Sequence, residues 1–306
     1  MIEDLTFVII GRNEGQHLAR TFRSVLKVTK NIIFVDSNST DNSIQIAQEF
    51  GIKKIVKVCS NYGTAAYSRS IGAKEVKTKY IHFLDGDETI EFSWIKKAIN
   101  KIESNKKIAA VHGYKKVFKN DDKVFYIKSD KKDWEPDYLQ GAMLILREVY
   151  EKSGGMETRI FGEEERDLYV RIRAMGYEIW YIHELMASHY DWKKKNFLYV
   201  LFGPSSFTIW IPLFKAIKNN HLKSYIFVYR YLIPPLIFDL ASIFSIFFGL
   251  KVFIILTTLF QFIELIFCII VDRKGYFITW KAAFLNFPRI IKVFMFKKNI
   301  KVRYIN

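Results

Sequence analysis

An apolar run, Ile81-His82-Phe83-Leu84, ends in Asp85-Gly86-Asp87-Glu88. Two carboxylates separated by a glycine suit a hard divalent cation, because Mg²⁺ takes oxygen ligands and combines one or two carboxylates with substrate phosphates. The glycine leaves room for a phosphate or sugar to approach. A second acidic cluster, Glu163-Glu164-Glu165-Arg166-Asp167, opens a helical stretch, and His189 follows it. Acids at a helix start complement the dipole, but three consecutive Glu with Asp167 beyond them exceed what a cap needs. Mutual repulsion and a nearby metal would tune one of them as a general base. Three further side chains have the chemistry of a nucleotide site. Asp36 follows an apolar run and could accept hydrogen bonds from a nucleobase or ribose, though it also reads as a turn residue. Glu14 ends the polar stretch Gly11-Arg12-Asn13-Glu14. Arg69, among the small residues from Gly63 to Ala73, could present its guanidinium to a diphosphate. Those small residues equally suit a helix packed close to a sheet.

These residues need elements that bring them together. Strand-like runs at Leu5–Ile10, Ile32–Val35, Lys54–Val58, Tyr80–Leu84, Ala109–Val117 and Ala142–Leu146 alternate early on with helical patterns near 14–28, 41–50, 65–77 and 91–103. Such spacing predicts right-handed βαβ units in an α/β domain with a mostly parallel sheet, whose ligands lie at the carboxyl ends of the strands. The candidate residues follow strand ends.

Beyond residue 192 the composition changes. The chain has 306 residues and a net charge of +16, yet residues 1–192 hold 30 basic and 28 acidic side chains. Residues 193–230 hold seven basic and none acidic, and 273–306 nine basic and none acidic. This distribution excludes a uniformly basic nucleic-acid binder, and the 50% apolar content excludes disorder. Cys59 and Cys268 are too far apart in the chain to suggest a disulfide framework or a metal site. Between the basic flanks lie Tyr231–Leu250 and Val252–Val271, joined by Lys251. Each matches the ~20 residues that cross a bilayer. The reading is a basic aromatic linker (193–230), a two-helix transmembrane or membrane-inserted hairpin (231–271) and a basic interfacial tail (272–306) held by anionic lipids. The positive-inside rule then puts both ends and residues 1–192 in the cytoplasm, at the inner (plasma) membrane. The N-terminus has no signal-peptide pattern. Asp239 and Glu264 fall inside the apolar runs, where acids are functional candidates by default. Pairing across the hairpin, or with a neighbouring subunit of a homo-oligomer, is the structural alternative.

Taken in order, these pieces resemble the family 2 glycosyltransferases, which are inverting enzymes of the GT-A fold. The resemblance runs from about Leu5 to His189. It includes Asn13-Glu14, Val35-Asp36-Ser-Asn-Ser-Thr-Asp41, Tyr67-Ser-Arg69-Ser-Ile-Gly72, Leu84-Asp85-Gly86-Asp87, Gly141 to Arg147, Gly154-Gly155-Met156-Glu157 and Glu164 to Arg171. It implies a nucleotide-sugar donor contacted by Glu14, Asp36, Arg69 and Asp85. It also implies Mg²⁺ or Mn²⁺ held by Asp87, with Asp85 on the metal's water shell and His189 as a further ligand or a contact to the diphosphate. The catalytic base would be Glu165, with Glu164 and Asp167 beside it. Gly11-Arg12, Ser70 and Glu165 stand where the family usually has Pro-Thr/Ser, Asn and Asp.

A membrane hairpin beside such a domain points to a lipid-linked or glycan acceptor. Polyprenyl-phosphate glycosyltransferases are the alternative. They carry a Gly-rich, Lys-containing run and an Asp-Leu-Gln segment where this chain reads Gly63-Thr-Ala-Ala-Tyr67 and Asp87-Glu88-Thr-Ile-Glu91, so glycan elongation is the expectation. A membrane-tethered nucleotide-sugar-binding scaffold is the non-enzyme alternative, against which the intact acidic motifs argue. Nucleotidylyltransfer would call for a Gly-rich, Arg-Lys loop after the first strand, where Arg12-Asn13-Glu14 stands instead.

Overall fold

A computed structural model describes residues 1–59, 64–119, 123–128, 132–136, 139–162, 164–190, 210–230, 233–270 and 302–305. Gly63, Glu163, linker residues 193–209, hairpin residues 231, 232 and 271, and tail residues 272–301 and 306 lie outside the described residues. The chain divides into two compact units, Met1–Lys194 with Lys297–Asn306, and Lys195–Phe296.

The first unit alternates β1 (Leu5–Gly11), α1 (Gly15–Leu26), β2 (Ile32–Asp36), α2 (Ser43–Glu49), β3 (Lys54–Val58), α3 (Ala65–Lys74) and β4 (Tyr80–Asp85). Strands β1 to β4 run parallel in the order β3-β2-β1-β4. A parallel strand covered on both faces reads as a continuous apolar run, and Leu5, Phe7, Val8 and Ile9 are all fully buried. Helix α1 turns Leu18, Phe22 and Val25 into the core at helical spacing. Each such side chain contributes about 1.5–3 kcal/mol of burial. On α3, a Cβ at Gly72 would stand 2.3 Å from Val8 and 2.9 Å from Val35. The small residues of that helix therefore allow close packing on the sheet.

Next come β5 (Glu88–Ile90), α4 (Phe92–Ser104), β6 (Ile108–Lys119), β7 (Lys123–Lys128), β8 (Met143–Leu146), α5 (Arg147–Lys152), α6 (Glu164–Ala174) and β9 (Glu178–His189). In this half the sheet is mixed rather than parallel: β8 is antiparallel to β4 and β6, β5 to β9, and β7 to β6, while β6 and β9 run parallel. The expectation of a mostly parallel sheet thus holds for the half built from β1 to β4 alone. The far edge carries another difference. Within the segment read as an interfacial tail, β10 (Val302–Ile305) pairs antiparallel with β3, and the Tyr304 hydroxyl donates to Glu75 at 2.9 Å.

The second unit contains α7 (Trp210–Lys218), α8 (Leu222–Val228), α9 (Ile233–Phe244), a 3₁₀ turn at Ser245–Phe248 and α10 (Leu250–Ile270). Helices α9 and α10 pack together, with Phe238 stacked on Phe260 and Asp239 Oδ1 accepting from Gln261 Nε2 at 2.9 Å. The two apolar runs are not equal helices, as their lengths in the sequence suggest. At 1.5 Å per residue α10 reaches about 31 Å and α9 about 18 Å, so among the described residues α10 alone matches a bilayer by length and composition. Near the end of the first run Ser242 and Ser245 bond back to the carbonyls of Phe238 and Ser242, contacts that slightly destabilise a helix. Gly249 then reverses the chain at φ 100°, a backbone that favours glycine. Lys251 lies inside α10 rather than in the turn.

Candidate active site

The loops after β1 and β2 are laced together by the short polar residues between them. Asn13, at φ 57°, donates its N–H to Ser39 Oγ at 2.9 Å and accepts from the Thr40 N–H at 2.8 Å. The N–H groups of Glu14 and Gly15 donate to Ser43 Oγ and Asp41 Oδ2. Most of the Ser, Thr, Asp and Asn run after β2 therefore shapes this loop. Asp36 is different. It is fully buried where β2 meets Gly11 of β1, one oxygen accepts from the Ser39 N–H at 3.0 Å, and Oδ1 has no partner. An unsatisfied buried acceptor costs about 1–3 kcal/mol, which a donor group on a ligand would recover.

The turn after β4 is held through its backbone at three points. The Gly86 N–H donates to Ile10 O at 2.8 Å, the Gly86 carbonyl accepts from the buried Thr21 hydroxyl at 2.7 Å, and the Tyr190 N–H donates to the Asp87 carbonyl at 3.0 Å. A Cβ at Gly86 would lie 3.2 Å from Glu14 and 3.3 Å from Ile10 O. The space it leaves is thus filled by Glu14 and the β1 end. Burial first, and then the charges of Asp87 and Asp85, push the Glu14 carboxyl up to about 7.

Arg69 joins this turn to the second acidic cluster. Its guanidinium is almost wholly buried. Nη2 donates to Asp85 Oδ1 at 2.8 Å, and Nη1 donates to Glu164 Oε1 at 2.9 Å and Glu165 Oε1 at 3.1 Å. Burial opposes the Arg69 charge, but Asp85, Glu165 and Glu164 outweigh it and raise its pKa. Burial would likewise raise Asp85, yet Arg69 and Lys115 hold it below its usual range. Both glutamates begin α6, where the helix dipole favours anions. Glu164 is 4% exposed and Glu165 15%, so Glu165 is the more open of the two. Gly141 is required here, since a Cβ would stand 2.4 Å from Arg69 Nη2 and 2.9 Å from Glu165 Oε1.

Asp87 meets His189 instead, with Oδ2 and Nε2 2.8 Å apart. Burial would lower the His189 pKa, but the Asp87 bond and the Glu88 charge carry it above its ordinary value. Asp167 is directed elsewhere. Its Oδ2 is gripped by Arg171 Nη2 at 2.6 Å, one helical turn on. The structure therefore gathers Arg69, Asp85, Glu164 and Glu165 in one cluster and Asp87 with His189 in a contact on the same turn. Asp36 stands at the adjoining strand end and Asp167 in an ion pair of its own. Thr21 and Lys115 carry no signal in the sequence. Thr21 looks like any helix-face threonine, and Lys115 like one of many lysines on a strand.

A family model described as glycosyl transferase family 2 matches residues 6–156. An uncharacterized glycosyltransferase of Rickettsia conorii is 31% identical over 91 residues, covering 29% of this chain and 31% of that protein. The poly(ribitol-phosphate) beta-N-acetylglucosaminyltransferase TarP of Staphylococcus aureus is 31% identical over 86 residues, 26% of each chain. The matched segments thus span less than a third of these curated relatives. The mannosyltransferase PcManGT from Pyrobaculum calidifontis, solved with GDP-Man and Mn²⁺, aligns over 93% of this chain and 87% of its own at TM-score 0.59 and 15% identity. At that identity the likeness establishes the fold, a mixed α/β sheet of GT-A type. Through residues 6–156 the chain belongs to glycosyl transferase family 2.

Proposed function

We propose that the chain is an inverting, metal-dependent glycosyltransferase. It moves a sugar from a nucleoside-diphosphate sugar to a hydroxyl of a membrane-linked glycan or glycolipid. The observation that carries this reading is the fork of the buried Arg69, which ties the Asp85 turn to Glu164 and Glu165 in one cluster. An inverting displacement needs a base on the acceptor side and charge stabilisation on the leaving-group side, in fixed register. One rigid guanidinium spanning both sets of carboxylates meets that need.

In this reading Asp36 Oδ1 takes a donor group of the nucleoside, and Glu165, the more open glutamate, takes the proton of the acceptor hydroxyl. Glu164 and Arg69 hold Glu165 in place, and Asp167 anchors α6 through Arg171. The residues fit a divalent ion. Asp87 supplies a hard oxygen, His189 an imidazole nitrogen beside it, and Asp85 stands on the same turn. Among the described residues no group of three His, Cys, Asp or Glu is disposed to hold a metal. An ion here would therefore share its shell with water and the donor's phosphates, as Mg²⁺ commonly does. When bound, it neutralises charge developing on the departing nucleoside diphosphate. The Mn²⁺ with GDP-Man in PcManGT supports this.

The membrane side rests on α10. Ile254, Ile255, Leu259 and Phe262 are exposed along it, and the nine cations after residue 272 suit anionic headgroups. In this reading the enzyme works on the cytoplasmic face of the inner membrane, and the poly(ribitol-phosphate) in TarP's name supports a polymer acceptor. The test is release of nucleoside diphosphate from a panel of UDP- and GDP-sugars by purified protein with native membranes, with Mn²⁺ or with EDTA. Turnover of at least one donor only with metal supports the reading; equal turnover in EDTA contradicts it.

A further inference from the structure

Behind Asp87 lies an ion pair, of a buried carboxylate with a largely enclosed lysine, that the mechanism above does not use. Strands β5 and β9 pair so that Glu88 stands directly opposite His189. Glu88 is 1% exposed. Its Oε1 accepts from Lys115 Nζ of β6, and its Oε2 has no partner. An ion pair inside a protein recovers little of its desolvation cost, and replacing it by apolar side chains is often neutral or stabilising. Stability alone therefore gives a weak account of it. The position of His189 gives a better one. Its Nε2 faces Asp87 Oδ2 at 2.8 Å and its Nδ1 faces Glu88 Oε1 at 3.9 Å. The ring is thus flanked by one carboxylate on each nitrogen.

An imidazole that gives its Nε2 lone pair to a metal carries its proton on Nδ1. Ligating histidines are held by an acceptor on that second nitrogen, and loss of the acceptor typically weakens metal binding 10–100-fold. Resting on the metal reading above, we propose that Lys115 and Glu88 are the positioning pair for His189. Lys115 fixes Glu88, and Glu88 Oε1 accepts the Nδ1 proton after a small turn of the ring. Nε2 is thereby aimed at the ion beside Asp87.

The test is Mn²⁺ binding to the full-length protein, read from the EPR signal of free Mn²⁺ with no nucleotide present. Glu88→Leu with Lys115→Met removes both charges together, so neither is left unpaired, and it should weaken Mn²⁺ binding about tenfold. In a His189→Ala background the same pair of substitutions should weaken it no further, because the effect passes through His189. Should the leucine variant fail to fold, Glu88→Met with Lys115→Met gives the same comparison. Wild-type Mn²⁺ affinity in the paired variant, with His189→Ala impaired, would overturn the proposal and leave the metal reading standing. An equal loss with and without His189 would also overturn it. If neither Asp87→Asn nor His189→Ala alters Mn²⁺ binding, the metal reading itself falls and this proposal falls with it.

Discussion

Replacing Arg69 by methionine keeps most of the side-chain volume and removes the cation shared by Asp85, Glu164 and Glu165. The Arg69–Glu164 contact is the most enclosed of the three, with both side chains 4% exposed. Removing one partner of a buried pair costs about 3–5 kcal/mol, because the other charge stays buried and uncompensated. For a protein of this size each kcal/mol shifts Tm by about 2–4 °C, so the loss should be about 6–20 °C. The pH dependence has a definite sign. In the native protein Asp85 is held below its usual range despite burial, so its interaction stabilises the fold above the unfolded pKa near 3.9 and is lost as pH falls through the lower folded value. Without Arg69, the burial of Asp85 is opposed only by Lys115 and His189, so this carboxyl resists ionisation more than in wild type, which destabilises the variant as pH rises. The Tm gap between wild type and Arg69→Met should therefore widen from pH 5 to pH 8, measured by circular dichroism in EDTA. Arg69→Lys keeps a charge but cannot fork to three carboxylates, and should fall between the two in Tm while losing turnover. A gap under about 2 °C at pH 8, or one that narrows with rising pH, would refute the claim that Arg69 ties the cluster together.

Other consequences can be checked separately. His82 is fully buried, stacked on Phe7 at 4.6 Å, and burial drives its pKa down to about 3. Folding then excludes a proton that the unfolded chain takes up below about 6.5, so wild type should lose about 2 kcal/mol between pH 7 and pH 5 from this group. His82→Phe should lack that part of the loss in urea titrations. Thr21→Val deletes the hydroxyl that holds the Gly86 carbonyl and should cost about 1–3 kcal/mol, with a larger fall in metal-dependent turnover than Thr21→Ser. Gly141→Ala should lower kcat at least tenfold by displacing Arg69 and Glu165, with donor affinity less affected. Leu259→Arg puts a charge at the middle of α10, which costs about 2.5–3.5 kcal/mol within a bilayer. It should move the protein out of the carbonate-washed membrane fraction; unchanged partitioning would argue against insertion of that helix.

Strands β1, β2 and β4 were legible in the sequence because each is a largely apolar run between helical patterns, with Glu14, Asp36 or Asp85 at or just beyond its end; β3, Lys-Ile-Val-Lys-Val, was legible from its β-branched residues and its spacing. Strands β5 and β9 were not. Glu88–Ile90 is three residues long, and Glu-Ile-Trp-Tyr-Ile-His-Glu-Leu has no clean two-residue alternation because β9 bends through register shifts against β6. The pairing of Glu88 with His189 and the place of Lys115 follow from those two strands and stayed hidden with them. Arg69 was recognised, but its carboxylate partners were not. A composition of small residues says that α3 packs closely; it does not say that the guanidinium turns toward carboxylates from two other elements. The apolar runs of the second unit gave the hairpin but not its asymmetry, since serine back-bonding and a positive-φ glycine act on the backbone rather than on hydropathy. The edge strand at Val302–Ile305 lies so far along the chain from β3 that only tertiary pairing reveals it.

The central claim is transfer from a nucleotide sugar with Glu165 as the base. It is tested most directly by assaying wild type and Glu165→Gln side by side for nucleoside-diphosphate release from the donor panel, with binding of the same donor measured by calorimetry. Removal of a general base should lower turnover about 10²–10⁴-fold while donor affinity stays within about twofold. Wild-type turnover in Glu165→Gln would contradict the account.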